Sequence, residues 1–93
     1  MLFVILVLAV MRVPTAQDAR ASDQIRLDFV QVVSTNLPAA KQVTIVSSPR
    51  RGATMIFVSG GSLTDDEKQS LRVSALQIGK MRDNRPVTVV FRD

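Results

Sequence analysis

Apolar and polar residues follow two different periods along this chain, and the clearest helical period lies between residues 64 and 81. Thr64 and Glu67 have the spacing of a capping box, in which each side chain accepts a hydrogen bond from the other residue's amide. A core-facing stripe then recurs at i, i+4 and i+7, formed by Leu71, Ala75 and Ile78. Pro86 cannot continue a helix. The pattern therefore predicts a helix over residues 64–81.

A second helical period precedes it, over residues 19–37. The i, i+4, i+7, i+8 stripe consists of Ile25, Phe29, Val32 and Val33. Ser22 and Asp23 are residues typical of a helix start. Ile25, Leu27 and Phe29 also alternate as a strand would, but the segment is long and has no Gly or Pro before Pro38. We therefore predict a helix.

Three segments have strand composition, namely residues 42–48, 54–59 and 86–93. Residues 49–53 contain Gly52 and predict a hairpin loop between the first two. Alternation leads us to expect Val43, Ile45, Met55, Phe57, Val87, Val89 and Phe91 to face the helices. The opposite face would then carry Thr44, Val46, Thr54, Ile56, Val58, Thr88 and Val90, which is apolar enough for a protein contact.

The unbroken apolar run of residues 2–11 has two interpretations. Its length suits the hydrophobic region of a signal peptide or a short anchor, and Ala19-Arg20-Ala21 before Ser22 has the form of a cleavage site. No Lys or Arg precedes the run, however, and charged residues follow it. A central strand buried on both faces has the same composition. We accordingly divide the chain into an N-terminal segment and connector, 1–21, and a single α/β domain, 22–93.

The order of elements predicts a small α+β domain. Without the leading run it is a two-layer αββαβ sandwich. If residues 2–11 form a strand, the order becomes βαββαβ, a ferredoxin-like layer of two helices on four strands. The helix at 64–81 joins two strands that should run parallel.

The 93 residues lack several of the residue types on which catalysis most often depends. The chain has no Cys and no His, so it lacks thiolates and the commonest general base and metal ligand. It has no Trp or Tyr, and four Phe. We expect no enzyme activity, no cofactor and no metal site.

The net charge of +4 permits an anionic partner. The candidate residues for contact with a polyanion or other partner are Arg50, Arg51, Lys80, Arg82 and Arg85. RNA reading through the sheet is disfavoured because Phe57, the aromatic residue of the middle strands, is expected in the core.

Two functional hypotheses remain. The first is a non-catalytic interaction or structural domain, exported or membrane-anchored in a bacterial envelope, that contacts a protein or a second copy through its sheet face or an edge strand. The envelope assignment is a fold-level analogy. The second is a cytoplasmic ferredoxin-like module that binds RNA or another polyanion through its basic loops.

Overall fold

The structure, a computed structural model, describes residues 13–38 and 41–92. Residues 2–11, to which the signal, anchor or first strand was assigned, lie outside the described residues. The elements are α1 (Ala16–Asn36), β1 (Val43–Arg50), β2 (Ala53–Gly60), α2 (Asp65–Met81) and β3 (Val87–Arg92). The described part of the chain is thus a small α+β unit of two helices and one sheet.

Both helices begin at a capping box. The predicted box of Thr64 and Glu67 is confirmed at the start of α2, with the two reciprocal hydrogen bonds at 3.2 and 2.9 Å. Helix α1 begins several residues before the predicted start, because Thr15 and Asp18 form a second capping box outside the predicted helix. Ser22, predicted near the helix start, is instead a buried residue of its second turn.

The sheet has the strand order β1-β2-β3. Strands β1 and β2 form an antiparallel hairpin that turns at Arg51 and Gly52, and Gly52 has a φ of +70° that favours glycine. Strands β2 and β3, joined through α2, are parallel as predicted. They pair directly, whereas a ferredoxin-like split βαβ unit has another strand between such a pair. The αββαβ order is therefore observed over the described residues, and the ferredoxin-like topology is not confirmed.

The two helices cover one face of this sheet and form a single core with it. Helix α1 buries the predicted positions Ile25, Phe29 and Val33, and α2 buries its own predicted stripe. The buried hydrophobic residues are Ile25, Phe29, Val33, Ile56, Val58, Leu71, Ala75, Ile78 and Val87. No helix in the described part of the chain has the length and apolar character to cross a membrane.

Helix α2 and the start of β3 approach closely at Gly79. A Cβ atom at this position would lie 2.2 Å from the carbonyl oxygen of Arg85 and 2.8 Å from a methyl group of Val87. The Gly79 carbonyl also accepts the Arg85 backbone N–H at 2.8 Å. The contact fixes where β3 begins relative to the end of α2.

The prediction of which face β2 turns to the helices is wrong. Ile56 and Val58 are buried under the helices together with Thr54, while Met55 and Phe57 point to the opposite face. Both sets of β2 residues are apolar, so alternation identified a strand without identifying its inner side. A shift of one residue in the assignment exchanges every side chain of the strand between the two faces. The predictions for β1 and β3 are correct.

Candidate binding surface on the open face of the sheet

The face of the sheet turned away from both helices is the candidate functional surface, and we call it the open face. Its centre is a row of cross-strand neighbours on the three strands, Val46, Phe57 and Val90. Val46 is 53% exposed, and Phe57 and Val90 are partly buried. Met55 extends the apolar row toward the hairpin. No described residue packs over these side chains from a helix.

Two arginines border the apolar row. The Arg92 guanidinium lies 4.7 Å from the centre of the Phe57 ring, a cation–π contact at the end of β3. At the other end, Arg50 Nε lies 3.3 Å from Met55 Sδ. Neither arginine forms an ion pair with a carboxylate among residues 13–38 and 41–92. No carboxylate in the described part of the chain therefore neutralises these two charges.

Acidic residues are absent from the described part of the open face. The carboxylates that the structure describes lie in the helices and the turn after α2, namely Asp18, Asp23, Asp28, Asp65, Asp66, Glu67 and Asp83. Many of them pair within this layer, as Asp28 does with Arg82 at 2.8 Å and Glu67 with Lys41. The described part of the chain thus has a mixed-charge helical layer and a positively charged, apolar open face.

Arg85, one of the predicted contact residues, is part of the interior. Its side chain is 11% exposed and donates to Thr54 Oγ1 at 2.9 Å, to Asp18 Oδ1 at 3.1 Å and to the carbonyl oxygens of Arg50 and Ala53 at 2.8 and 2.7 Å. Its donors therefore hold the hairpin and α1 together. A guanidinium so engaged has little capacity left for an external anion.

Asp18 and Ser22 complete this internal network from α1. Hydrogen bonds from backbone N–H groups lower the pKa of Asp18 to about 2, that of Thr15 contributing most and that of Gly52 next. Burial opposes this change, and the hydrogen bond from the Arg85 guanidinium lowers the pKa further. The Ser22 and Thr54 hydroxyl groups share a hydrogen bond at 2.7 Å and are both about 1% exposed. From the sequence, Arg85 was expected to bind a partner, Thr54 to lie on the face opposite the helices and Ser22 to lie at a helix start.

The five predicted basic residues do not form one patch. Arg50 and Arg51 lie at the hairpin and Lys80 is exposed on α2. Arg82 pairs through two hydrogen bonds with Asp28, which raises the Arg82 pKa. Arg82 and Arg85 line a cleft of about 780 Å³ between α1 and the turn after α2, and their pairing with Asp28 and Asp18 makes its charge mixed. Of the set, Arg50 borders the apolar row of the open face, at Met55.

A groove between the helices and the arrangement of the possible metal ligands give less support for a function. A groove of about 560 Å³ lies between α1 and α2, near Met81, which is 85% exposed. The structure shows nothing that indicates an occupant for it. Among the described residues, no group of three or more His, Cys, Asp or Glu side chains is placed to hold a metal ion.

Comparisons of this chain with protein families, with curated proteins and with solved structures find no match.

Proposed function

We propose that this protein is a non-catalytic interaction module that binds a protein partner through the open face of its sheet. The observation that supports this most directly is the apolar row of Val46, Phe57 and Val90, which the two described helices leave uncovered. Contiguous apolar surface on a small domain is typical of a contact site. The residue inventory, without Cys or His, is consistent with a binding role.

The size of the open face indicates a weak complex. Three strands about 4.8 Å apart and about 20 Å long give a surface of about 300 Å². A stable interface buries about 800 Å² on each partner. The open face alone therefore suits a transient complex, and a stable complex requires further contacts, for example at an edge strand.

RNA binding is a second candidate, and one observation favours it. Phe57 lies on the open face of the central strand, so the argument that its ring is hidden in the core no longer applies. Base stacking on such a ring is a common means of binding single strands. The protein hypothesis remains stronger, because the described part of the open face has one aromatic side chain, Phe57, whereas RNA-binding sheets stack two or three bases on aromatic side chains.

Site-specific photo-crosslinking in cells of the host tests the proposal. A photoreactive residue in place of Val46 reports on the open face, and one in place of Val73, which is 44% exposed on α2, is the matched control. We expect a covalent protein adduct from position 46 and none from position 73. Adducts from position 73 alone would contradict the proposal, and a nuclease-sensitive adduct at position 46 would establish the RNA candidate instead.

Export or membrane anchoring in a bacterial envelope is a separate proposal, based on the apolar run of residues 2–11 and the fold-level analogy. The structure bears on where processing is compatible with the fold. Cleavage before Ser22 would remove the Thr15 cap and Asp18, which bonds Gly52 and Arg85. If the chain is exported and processed, we therefore expect cleavage before Thr15. The intact mass of the protein from each cell fraction decides this, and a cytoplasmic chain of full length would remove the export proposal.

A further inference from the structure

The charge difference between the two layers indicates which partner the open face fits. The described open face carries Arg50 and Arg92 and no carboxylate, and its centre is apolar. We propose, on the basis of the function proposed above, that the open face binds an acidic amphipathic helix of another protein. The apolar side of that helix would lie on the row around Phe57, and its carboxylates would pair with the two arginines.

The positions of the arginines set the length of this helix. Arg50 is opposite Ala53 and Arg92 is opposite Ser59, so they lie six residues apart along β2, from 53 to 59. That separation is about 20 Å along the strands, and the two strand spacings between β1 and β3 add about 10 Å across them. The diagonal between the Cα positions of Arg50 and Arg92 is about 22 Å, which an α-helix spans in about 15 residues. A partner helix of about 15 residues therefore covers the face from one arginine to the other. Its carboxylates would lie along both flanks, because the two guanidinium groups lean inward over Met55 and Phe57.

A helix also matches the width of the open face. The outer strands are about 10 Å apart, which is close to the diameter of an α-helix with its side chains. The apolar row of Val46, Phe57 and Val90 spans this width, and Met55 continues it along the central strand. Leucines at i, i+3, i+4 and i+7 of the partner would contact this strip, the pattern by which helices bind in apolar grooves.

A second copy of the chain fits the same face less well. Packing two open faces together would bring two Arg50 and two Arg92 side chains into one interface without a described carboxylate between them. Like charges brought together at an interface oppose association. An acidic partner gains from the same charges, both in affinity and in the rate of encounter.

Titration of the full isotope-labelled chain with designed peptides tests the proposal by NMR. The first probe is a helical peptide of about 15 residues with Leu along one side and Glu on both flanks. Peptides with Lys or Gln in place of Glu keep the same apolar side. Oligouridylate is the nucleic-acid probe. The variant R50Q/R92Q removes the charges of the open face, and R20Q/K80Q removes two exposed charges of the helical layer as a matched control.

We expect the Glu peptide to shift the amide signals of Val46, Phe57 and Val90, and to bind at least tenfold more tightly than the Lys peptide. R50Q/R92Q should weaken that binding about tenfold, and R20Q/K80Q should change it less than twofold. Equal binding of the Glu and Gln peptides at these signals would overturn the charge argument and leave the open face as a protein-binding surface. Shifts confined to the helical layer, or binding of oligouridylate without binding of the Glu peptide, would also overturn the inference.

Discussion

The substitution Thr54→Val distinguishes the two assignments of the faces of β2. If Thr54 were on the open face, as alternation suggested, the change would resemble Thr44→Val, a substitution at an exposed position of β1. In the structure the Thr54 hydroxyl is buried, accepts from Arg85 Nε at 2.9 Å and shares a hydrogen bond with Ser22 at 2.7 Å. Valine has nearly the same shape, so the substitution removes hydrogen bonds without opening a cavity.

The expected loss of stability follows from those two bonds. A hydrogen bond to a charged donor contributes about 2 kcal/mol and one between hydroxyl groups about 1 kcal/mol. Thr54→Val should therefore lower the free energy of unfolding by about 3 kcal/mol. Ser22→Ala removes one of the bonds and should cost about 1 kcal/mol. The double variant should lose less than the sum of the two, by about 1 kcal/mol, because the shared bond is counted in both single changes.

Urea denaturation followed by circular dichroism measures these differences. For a small domain with a slope of about 1.5 kcal/mol per molar urea, a loss of 3 kcal/mol lowers the midpoint by about 2 M. Thr44→Val, the control, should leave the midpoint within about 0.3 M, since exposed substitutions change stability by less than about 0.5 kcal/mol. A Thr54→Val midpoint equal to that of the control would refute the assignment of Thr54 to the interior.

Two further predictions concern the same end of the molecule. Gly79→Ala should destabilise the protein by about 1–2 kcal/mol, since the added methyl group meets the Arg85 carbonyl oxygen. This overpacking exceeds the gain of about 1 kcal/mol in helix propensity. A Tm above that of the wild type would contradict the close approach. The pKa of Asp18 is lowered in the folded protein, so its contribution to stability is present above its unfolded pKa of 3.8 and is lost as the pH falls through the folded value of about 2. As the pH is lowered between these two values, the urea midpoint should therefore fall less steeply for Asp18→Asn than for the wild type. Parallel curves would show that the Asp18 carboxylate does not make the hydrogen bonds that lower its pKa.

The helix ends and the periodic stripes were readable because they depend on residues within a turn or two of one another. The capping box of Thr64 and Glu67 spans three residues, and the stripe that begins at Leu71 repeats at each turn. The box of Thr15 and Asp18 carries the same kind of local signal, with Asp in the place of Glu, and a scan that accepts either acid would find it. The hairpin and the order of the elements follow from similar local patterns.

The open face could be expected from the sequence, but its composition could not. Residues 54 to 58 alternate between two apolar sets, and hydrophobicity alone gives no reason to prefer Ile56 and Val58 over Met55 and Phe57 for the interior. Ile56 and Val58 join Phe29 and Leu71 in one buried cluster, and this packing of residues that are distant in sequence decides the choice. The consequence for function is direct, since the choice brings Phe57 next to Arg92 at the surface.

The sequence by itself thus determined the elements, their order and the expectation of an uncovered sheet face, because these follow from local conformational preferences and short periods. Only the tertiary structure decided which arginines are structural and which are exposed. Arg85 and Asp18 are 67 residues apart in sequence and Ser22 and Thr54 are 32 apart, so their bonds exist only once the helices and the hairpin have packed. An arginine in a sequence has the same charge whether it binds a partner or its own chain. Its partners in space, which depend on the whole fold, decide between the two.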